Sequence, residues 1–277
     1  MKAIKKILQQ YRNQNNFSGA VGNRSESDVG SYLASVHNAL SGYRQFSNFK
    51  QDLRYQQILE HTSKEQADLY LEIIERESPD LIACIDSFKI NDLVGGATTY
   101  EFRGIGSMSP STLRYLKVAS DLKKYFGESI GERIAEIGVG YGGQLLIADR
   151  VFKFKQYDLF DLPPVLLLAS RYIECHNLNA SYLTTTLNQH CGDVEYDLVI
   201  SNYAFSELPS KLQMSYIKKV LVRSKRGFLT MNSGKNNSAF VEDKLSLGEL
   251  KDLLPPFEII PELPLTHPEN YILIWGS

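Results

Sequence analysis

The sequence is 277 residues long, and what it holds little of narrows its class before any motif is read. It has only three cysteines, Cys84, Cys175 and Cys191, with no Cys-x-x-Cys spacing. An odd and scattered set argues against a disulfide framework and against a zinc site built on paired cysteines. It predicts reduced, packed thiols in a cytoplasmic protein. No apolar run approaches the roughly 20 residues that cross a bilayer, which predicts no membrane span. The opening "MKAIKKILQQYRNQ" lacks the continuous apolar core of a secretory leader. Charge of one sign is also missing: the net charge is −2, with Lys and Arg scattered among Asp and Glu. Nucleic-acid binding needs basic residues gathered on one face, so no nucleic-acid partner is expected. His37, His61, His176 and His190 share no ligand spacing and read as ordinary surface or packing residues. There is no internal repeat and no low-complexity tract.

What is present falls into two regions. Residues 1–105 read as a mostly helical region that caps a substrate site or forms a dimer interface, which leaves a homo-oligomer open. "SYLASVHNALSGYRQFSNFKQDLRYQQILE" places apolar and aromatic residues three and four apart. Ser63-x-x-Gln66 forms a capping box ahead of "ADLYLEII", and Ser78-Pro79 marks another helix start. The polar stretch "GAVGNRSESDVGS" reads as a loop, and "NDLVGGATTYEFRGIGS" as a glycine-rich loop with one short strand.

Residues 106–277 alternate instead. Ser109-Pro110 opens a helix that Gly127 ends, and strand "RIAEIG" runs into a glycine turn and helix "GQLLIADRVF". Further strands are "FKQYDLF", "ASYLTTT", "YDLVISN" and "RGFLTMN", with helices "VLLLASRYIECH" and "SKLQMSYIKKVLVRS" between them. Repeated strand–helix units imply a parallel sheet covered on both faces. "PFEIIPEL" and "NYILIWG" follow each other without a helix and must pair antiparallel.

The turn "AEIGVGYGGQ", Ala135 to Gln144, admits two readings. Gly138-x-Gly140-x-x-Gly143 fits a dinucleotide fingerprint, whereas Glu136-x-Gly138-x-Gly140-x-Gly142 fits the S-adenosylmethionine pattern. An acid at the strand's carboxyl end repels a pyrophosphate but favours a ligand carrying an ammonium and a sulfonium. About 130 residues precede the turn, and the sheet ends in an antiparallel pair, neither of which suits a dinucleotide domain. Asp161, 19 residues beyond Gly142, is placed to accept ribose hydroxyls in either case.

At these residues the chain resembles the sugar O-methyltransferases of bacterial surface-glycan gene clusters. The resemblance runs from about Asn91 to Gly276. It rests on Asn91-Asp92, "SPSTLRYLKVASDL", "EIGVGYGGQ", "DLP", "YDLVISNYAFSEL", "RGFLTMN" and the closing "NYILIWG". It implies a Rossmann-like class I methyltransferase fold: a mostly parallel seven-stranded sheet with an antiparallel last strand, beside an N-terminal helical region. It also implies S-adenosylmethionine as donor and a sugar hydroxyl, nucleotide-linked or on a polysaccharide, as acceptor. An acceptor that is a polyketide or a phenol, a nicotinamide-dependent oxidoreductase, and a non-catalytic scaffold are the rival readings.

A sugar hydroxyl is a poor nucleophile at neutral pH, so a general base is expected on the loops at the strands' carboxyl ends. Glu207, after the fourth strand, and His267, between the last two, are the candidates. The donor group comprises Glu136, Gly138, Gly140, Tyr141, Gly142, Asp161, Leu162, Asn202 and Tyr203. The resemblance adds Arg114, next to Tyr115, as partner for the methionine carboxylate. Asn232 and Asn270 are candidates for hydrogen-bonding the sugar, and Tyr100 with Asn91-Asp92 for a lid over the site. The segment "SNYAFSEL" holds no aspartate, so no metal is expected.

Overall fold

A computed structural model of the protein describes residues 30–232 and 243–277. The opening "MKAIKKILQQYRNQ" and most of the polar stretch "GAVGNRSESDVGS" lie outside them.

The first described helices are α1 (Ser31–Leu40), the short α2 (Tyr43–Phe46) and α3 (Leu53–Gln56), then α4 (Lys64–Glu77) and α5 (Pro79–Ala83). Helix α4 starts where the capping box predicts, with Ser63 Oγ accepting from Gln66 N and Gln66 Oε1 accepting from Ser63 N. The Ser78-Pro79 start yields only five residues. Ser78 Oγ pairs with Ser120 Oγ instead of capping, which ties the start of α5 to the long helix described next. The glycine-rich loop carries a two-stranded hairpin, β1 (Tyr100–Phe102) and β2 (Gly106–Met108), where one strand is expected from the sequence. Gly104 supplies the positive φ that turns the chain back, and the partner strand is too short to show alternation.

Helix α6 (Pro110–Phe126) begins and ends on the residues that its sequence marks. Ser109 Oγ accepts the Thr112 N–H, Pro110 occupies the first turn, and Gly127 closes the helix at φ 77°. A serine cap of this kind contributes about 1 kcal/mol. The alternating units follow: β3 (Arg133–Ile137), α7 (Gly143–Val151), β4 (Gln156–Phe160), α8 (Pro163–Ile173), β5 (Ser181–Thr185) and β6 (Tyr196–Asn202). After them come α9 (Ala204–Glu207), α10 (Ser210–Lys219), β7 (Ser224–Met231), α11 (Leu247–Leu253), β8 (Glu258–Pro261) and β9 (Tyr271–Trp275). Helix α10 stops well before the apolar pattern does, because Val222 and its neighbours form a single tight turn into β7.

The seven strands lie in the order β5-β4-β3-β6-β7-β9-β8. The pairs β3–β4, β4–β5, β3–β6 and β6–β7 are parallel, while β9 is inserted antiparallel between β7 and β8. This is the Rossmann-like class I methyltransferase arrangement. A sheet of six parallel strands, the dinucleotide-binding alternative, is excluded by β9.

Each sheet face has its own core. On one face Ile134, Leu159, Leu198 and Ile200 meet α6, α7, α8 and the buried side chains of the N-terminal helices. On the other, Ala135, Ile137, Val199 and Leu229 meet Phe205, Tyr216, Ile217 and Leu250. The three cysteines are free, but exposed rather than packed. Cys84 and Cys175 follow helix ends and Cys191 lies in the loop between β5 and β6, where sequence spacing carries no burial signal. Among the described residues no helix is long and apolar enough to cross a membrane.

Candidate functional site

The sheet order reverses between β3 and β6, and open α/β sheets bind ligands outside the carboxyl ends of the strands at such a point. Four chain segments converge there: the glycine turn after β3, Asp161 after β4, Asn202-Tyr203 at the end of β6, and Asn232 after β7.

The turn has little freedom to be anything but glycine. Gly138 has φ 80°, and a Cβ there would lie 2.0 Å from the Cβ of Ala204, so the loop after β6 presses directly on it. Gly142 is the N-cap of α7 in the left-handed region at φ 88°. Gly138 N–H donates to the Phe160 carbonyl (2.9 Å) and Val139 N–H donates to Asp161 Oδ2 (2.8 Å). Asp161 Oδ1 also accepts Leu162 N–H at 2.7 Å. The turn and the acid after β4 therefore form one hydrogen-bonded unit.

Glu136 is fixed by strand alternation. Its neighbours Ala135 and Ile137 point into one core, so its own side chain points into the other, towards the N-terminal helices. Its Oε2 accepts from the Tyr157 hydroxyl at 2.9 Å. Burial pushes its carboxyl up to about 8, the Tyr157 bond opposes this, and Asp161 adds to it. A carboxyl raised in the folded state contributes stability that is complete below its ordinary range and is lost as pH rises through about 8. The unfolding free energy of the wild type, measured in urea, is therefore expected to fall relative to that of Glu136→Gln between about pH 5 and 8. The slope is at most about 1.4 kcal/mol per pH unit. Parallel pH profiles for the two proteins would contradict it.

Tyr141 sits in the turn, but its ring is fully buried against Tyr172, Phe49 and Tyr115. What it presents at the site is backbone. Its hydroxyl accepts from Asn91 Nδ2 (3.2 Å), and the same amide nitrogen donates to Thr112 Oγ1 (2.7 Å). Asp92 accepts from Ser109 N and Oγ and from Thr112 Oγ1, all within 2.7 Å. Asn91 and Asp92 thus clamp the start of α6 to the turn, which fits a fixed joint and not a moving lid. Tyr100 lies on the hairpin, opposite Met108, and is exposed.

At the end of β6, Asn202 Oδ1 is buried without a partner. Tyr203 follows at φ 68°, the one non-glycine residue with positive φ among the described residues. Such strain persists only where the surroundings over-determine it. Its hydroxyl donates to Glu262, a buried carboxylate on the loop between β8 and β9. Glu262 Oε2 also accepts from Thr266 N–H (2.9 Å), Thr266 Oγ1 (2.7 Å) and Asn270 Nδ2 (2.9 Å). Burial, then the adjacent Glu262, hold the Tyr203 phenol far above its ordinary value, so it acts as a donor. Asn270 is thereby occupied on its nitrogen side, while its Oδ1 is buried without a partner.

Glu207 and Asn232 meet: Asn232 Nδ2 donates to Glu207 Oε1 at 2.9 Å, and Asn232 Oδ1 accepts from Ser206 Oγ at 2.7 Å. His267 is exposed on the β8–β9 loop, its Nδ1 accepting the Glu269 N–H at 3.3 Å. Arg114, on the second turn of α6, donates from Nη2 to the Leu59 carbonyl (3.0 Å). Burial opposes its charge, but Tyr115, Tyr203, Tyr70 and Glu60 outweigh that and keep it protonated.

Sequence reasoning missed Leu59, Glu60 and Glu262. Leu59 Cδ1 lies 2.9 Å from where a Cβ on Gly140 would be, so the N-terminal region covers the turn directly. Glu60 Oε2 accepts from Ser111 Oγ at 2.8 Å. These contacts join residues some 50 to 80 positions apart, and no local spacing signals them. Among the described residues no group of three or more His, Cys, Asp or Glu side chains could hold a metal ion.

No protein-family model and no curated protein matches the chain. Solved structures do share its shape in part. A proposed sarcosine dimethylglycine methyltransferase from Galdieria sulphuraria is 20% identical, over 55% of this chain and 66% of that one, with a TM-score of 0.43. TrmK of M. capricolum, in complex with S-adenosyl-homocysteine, is 16% identical over 58% and 66%, with a TM-score of 0.38. A 16S rRNA methyltransferase of T. thermophilus, in complex with AdoMet and guanosine, is 16% identical over 64% and 49%, with a TM-score of 0.43. The chain spans from about half to about two thirds of the length of these three structures.

Proposed function

We propose that the protein is an S-adenosylmethionine-dependent O-methyltransferase that methylates a sugar hydroxyl, nucleotide-linked or on a surface glycan, with a general base and no metal. The observation that carries the donor is the joined unit of glycine turn and Asp161, with a buried acid, Glu136, near the end of the strand that leads into the turn.

The residues present fit this donor. It carries no phosphate, so its binding brings no phosphate charge towards the buried Glu136 carboxyl or towards Asp161. Its ribose hydroxyls need an acceptor, and Asp161 is held in one orientation by the Val139 and Leu162 N–H groups. A carboxylate offers about four acceptor sites, so these two bonds leave capacity for a ribose. Its methionine carboxylate needs a cation, and Arg114 is charged and donates to the carbonyl of Leu59, whose side chain lies over Gly140 of the turn.

When bound, the donor supplies an electrophilic methyl group on a sulfonium. This chain's own task is then to align an acceptor oxygen and remove its proton. Alignment of two reactants is itself a large part of such catalysis. We assign the base to Glu207, half-buried and oriented by Asn232 at the carboxyl end of β7. The acceptor hydroxyl proton passes to the Glu207 carboxylate as that oxygen is methylated. His267 is the weaker candidate, because the ring nitrogen that would take a proton, Nδ1, already accepts from Glu269 N–H. The Asn232 amide, with one N–H beyond its bond to Glu207, offers a hydrogen bond to the acceptor.

The test of the acceptor is incubation with methyl-labelled donor and panels of nucleotide sugars, surface-glycan fragments, phenols and polyketides. Label in a sugar ether is the expected result. Label only in phenols or polyketides would replace the sugar reading by its nearest rival.

A further inference from the structure

Every amino-acid end of a small ligand is a zwitterion, and a site for one needs a cation and an anion close together. Arg114 is the cation under the donor reading above, and it is held by a segment, Leu59-Glu60, that belongs to the N-terminal region. The carboxylate of Glu60 is the unexplained group there. Its Oε2 has a partner in Ser111, while Oε1 is buried and has none. A buried carboxylate oxygen without a donor is costly, and native structures rarely leave one so. The adjacent residue, Leu59, lies directly over Gly140 of the glycine turn. The other charges around Glu60 are Lys50, Arg114 and Asp92. Lys50 is committed elsewhere: its Nζ donates to the Asn91 carbonyl (2.7 Å) and lies 4.2 Å from the Tyr141 ring centre.

We propose that Glu60 Oε1 receives the α-ammonium of the donor's methionine end, so that Glu60 and Arg114 form a clamp for the zwitterion and the N-terminal region completes the donor site. The proposal rests on the S-adenosylmethionine reading. It adds that the helical region before residue 106 is part of that site and not only a lid over the acceptor. The oxygen left unpaired by the protein is paired by the ligand, and the oppositely charged Arg114 keeps the pair neutral in its buried setting.

The experiment is calorimetric titration of the full chain and of Glu60→Gln with S-adenosylhomocysteine and with its analogue lacking the α-amino group. The wild type is expected to prefer the amino-bearing ligand by about tenfold or more, the usual worth of a hydrogen bond between charged groups. Glu60→Gln is expected to lose most of that preference while binding the desamino analogue within about twofold of the wild type. Glu60→Asp, which keeps the charge, is expected to retain part of the preference and covers the case in which Glu60→Gln does not fold. An unchanged preference in Glu60→Gln would overturn the assignment. So would an equal weakening of both ligands, the mark of a merely structural role. If the wild type binds neither ligand, the donor reading itself fails and takes this assignment with it.

Discussion

Asp161→Ala is expected to weaken binding of S-adenosylmethionine and S-adenosylhomocysteine by about 100-fold or more. Two effects add. The ribose loses a charged acceptor, and hydrogen bonds to charged groups are worth about 1.5–3 kcal/mol each. The Val139 and Leu162 N–H groups also lose the carboxylate that orders them, so the turn itself loosens. The two ligands should weaken alike, because they share the ribose. Asp161→Asn separates the effects, since its amide oxygen can still accept one backbone N–H, and an intermediate loss is expected. Calorimetry on the three proteins measures this. Wild-type affinity in Asp161→Ala would show that the acid neither contacts the donor nor shapes the turn for it.

Glu207→Gln is expected to lower kcat by about 100- to 10,000-fold, the usual range for a general base, with donor affinity within about twofold of the wild type. The substitution is close to isosteric, and a glutamine side-chain oxygen can still accept from Asn232 Nδ2, so the local geometry survives. His267→Ala, on an exposed loop, is expected to change kcat only a few-fold. Single-turnover measurement with the acceptor found in the screen separates chemistry from product release. If Glu207→Gln keeps its rate and His267→Ala loses it, the base has been misassigned between the two loops.

The parts legible from the sequence are those whose cause is local. Ser109-Pro110 and Gly127 delimit α6 because a cap, a proline and a terminal glycine each act on neighbouring backbone. The antiparallel pairing of β8 with β9 follows from the absence of any crossover helix between "PFEIIPEL" and "NYILIWG". Glycines 138, 140 and 142 announce the turn because each has positive φ there. Burial and long-range pairing were not legible. The cysteines read as packed and are exposed, since nothing in their neighbours' pattern fixes which way they face. Asn91-Asp92 reads as a lid by position, while the structure makes it a joint through Thr112, Ser109 and Tyr141. Helix α11 (Leu247–Leu253) went unread although Ser246 and Glu249 form a full capping box, a local signal that was there to find. Glu60 and Glu262 become site candidates only when segments far apart in the chain are brought together.

The central claim is the identity of the donor, and one titration addresses it. Calorimetry of the wild-type chain with S-adenosylmethionine, S-adenosylhomocysteine and NAD(P)H is expected to show saturable binding of the first two and none of the third. Binding of the nicotinamide cofactor in their place would contradict the account of the glycine turn and of Glu136, and with it the class of reaction.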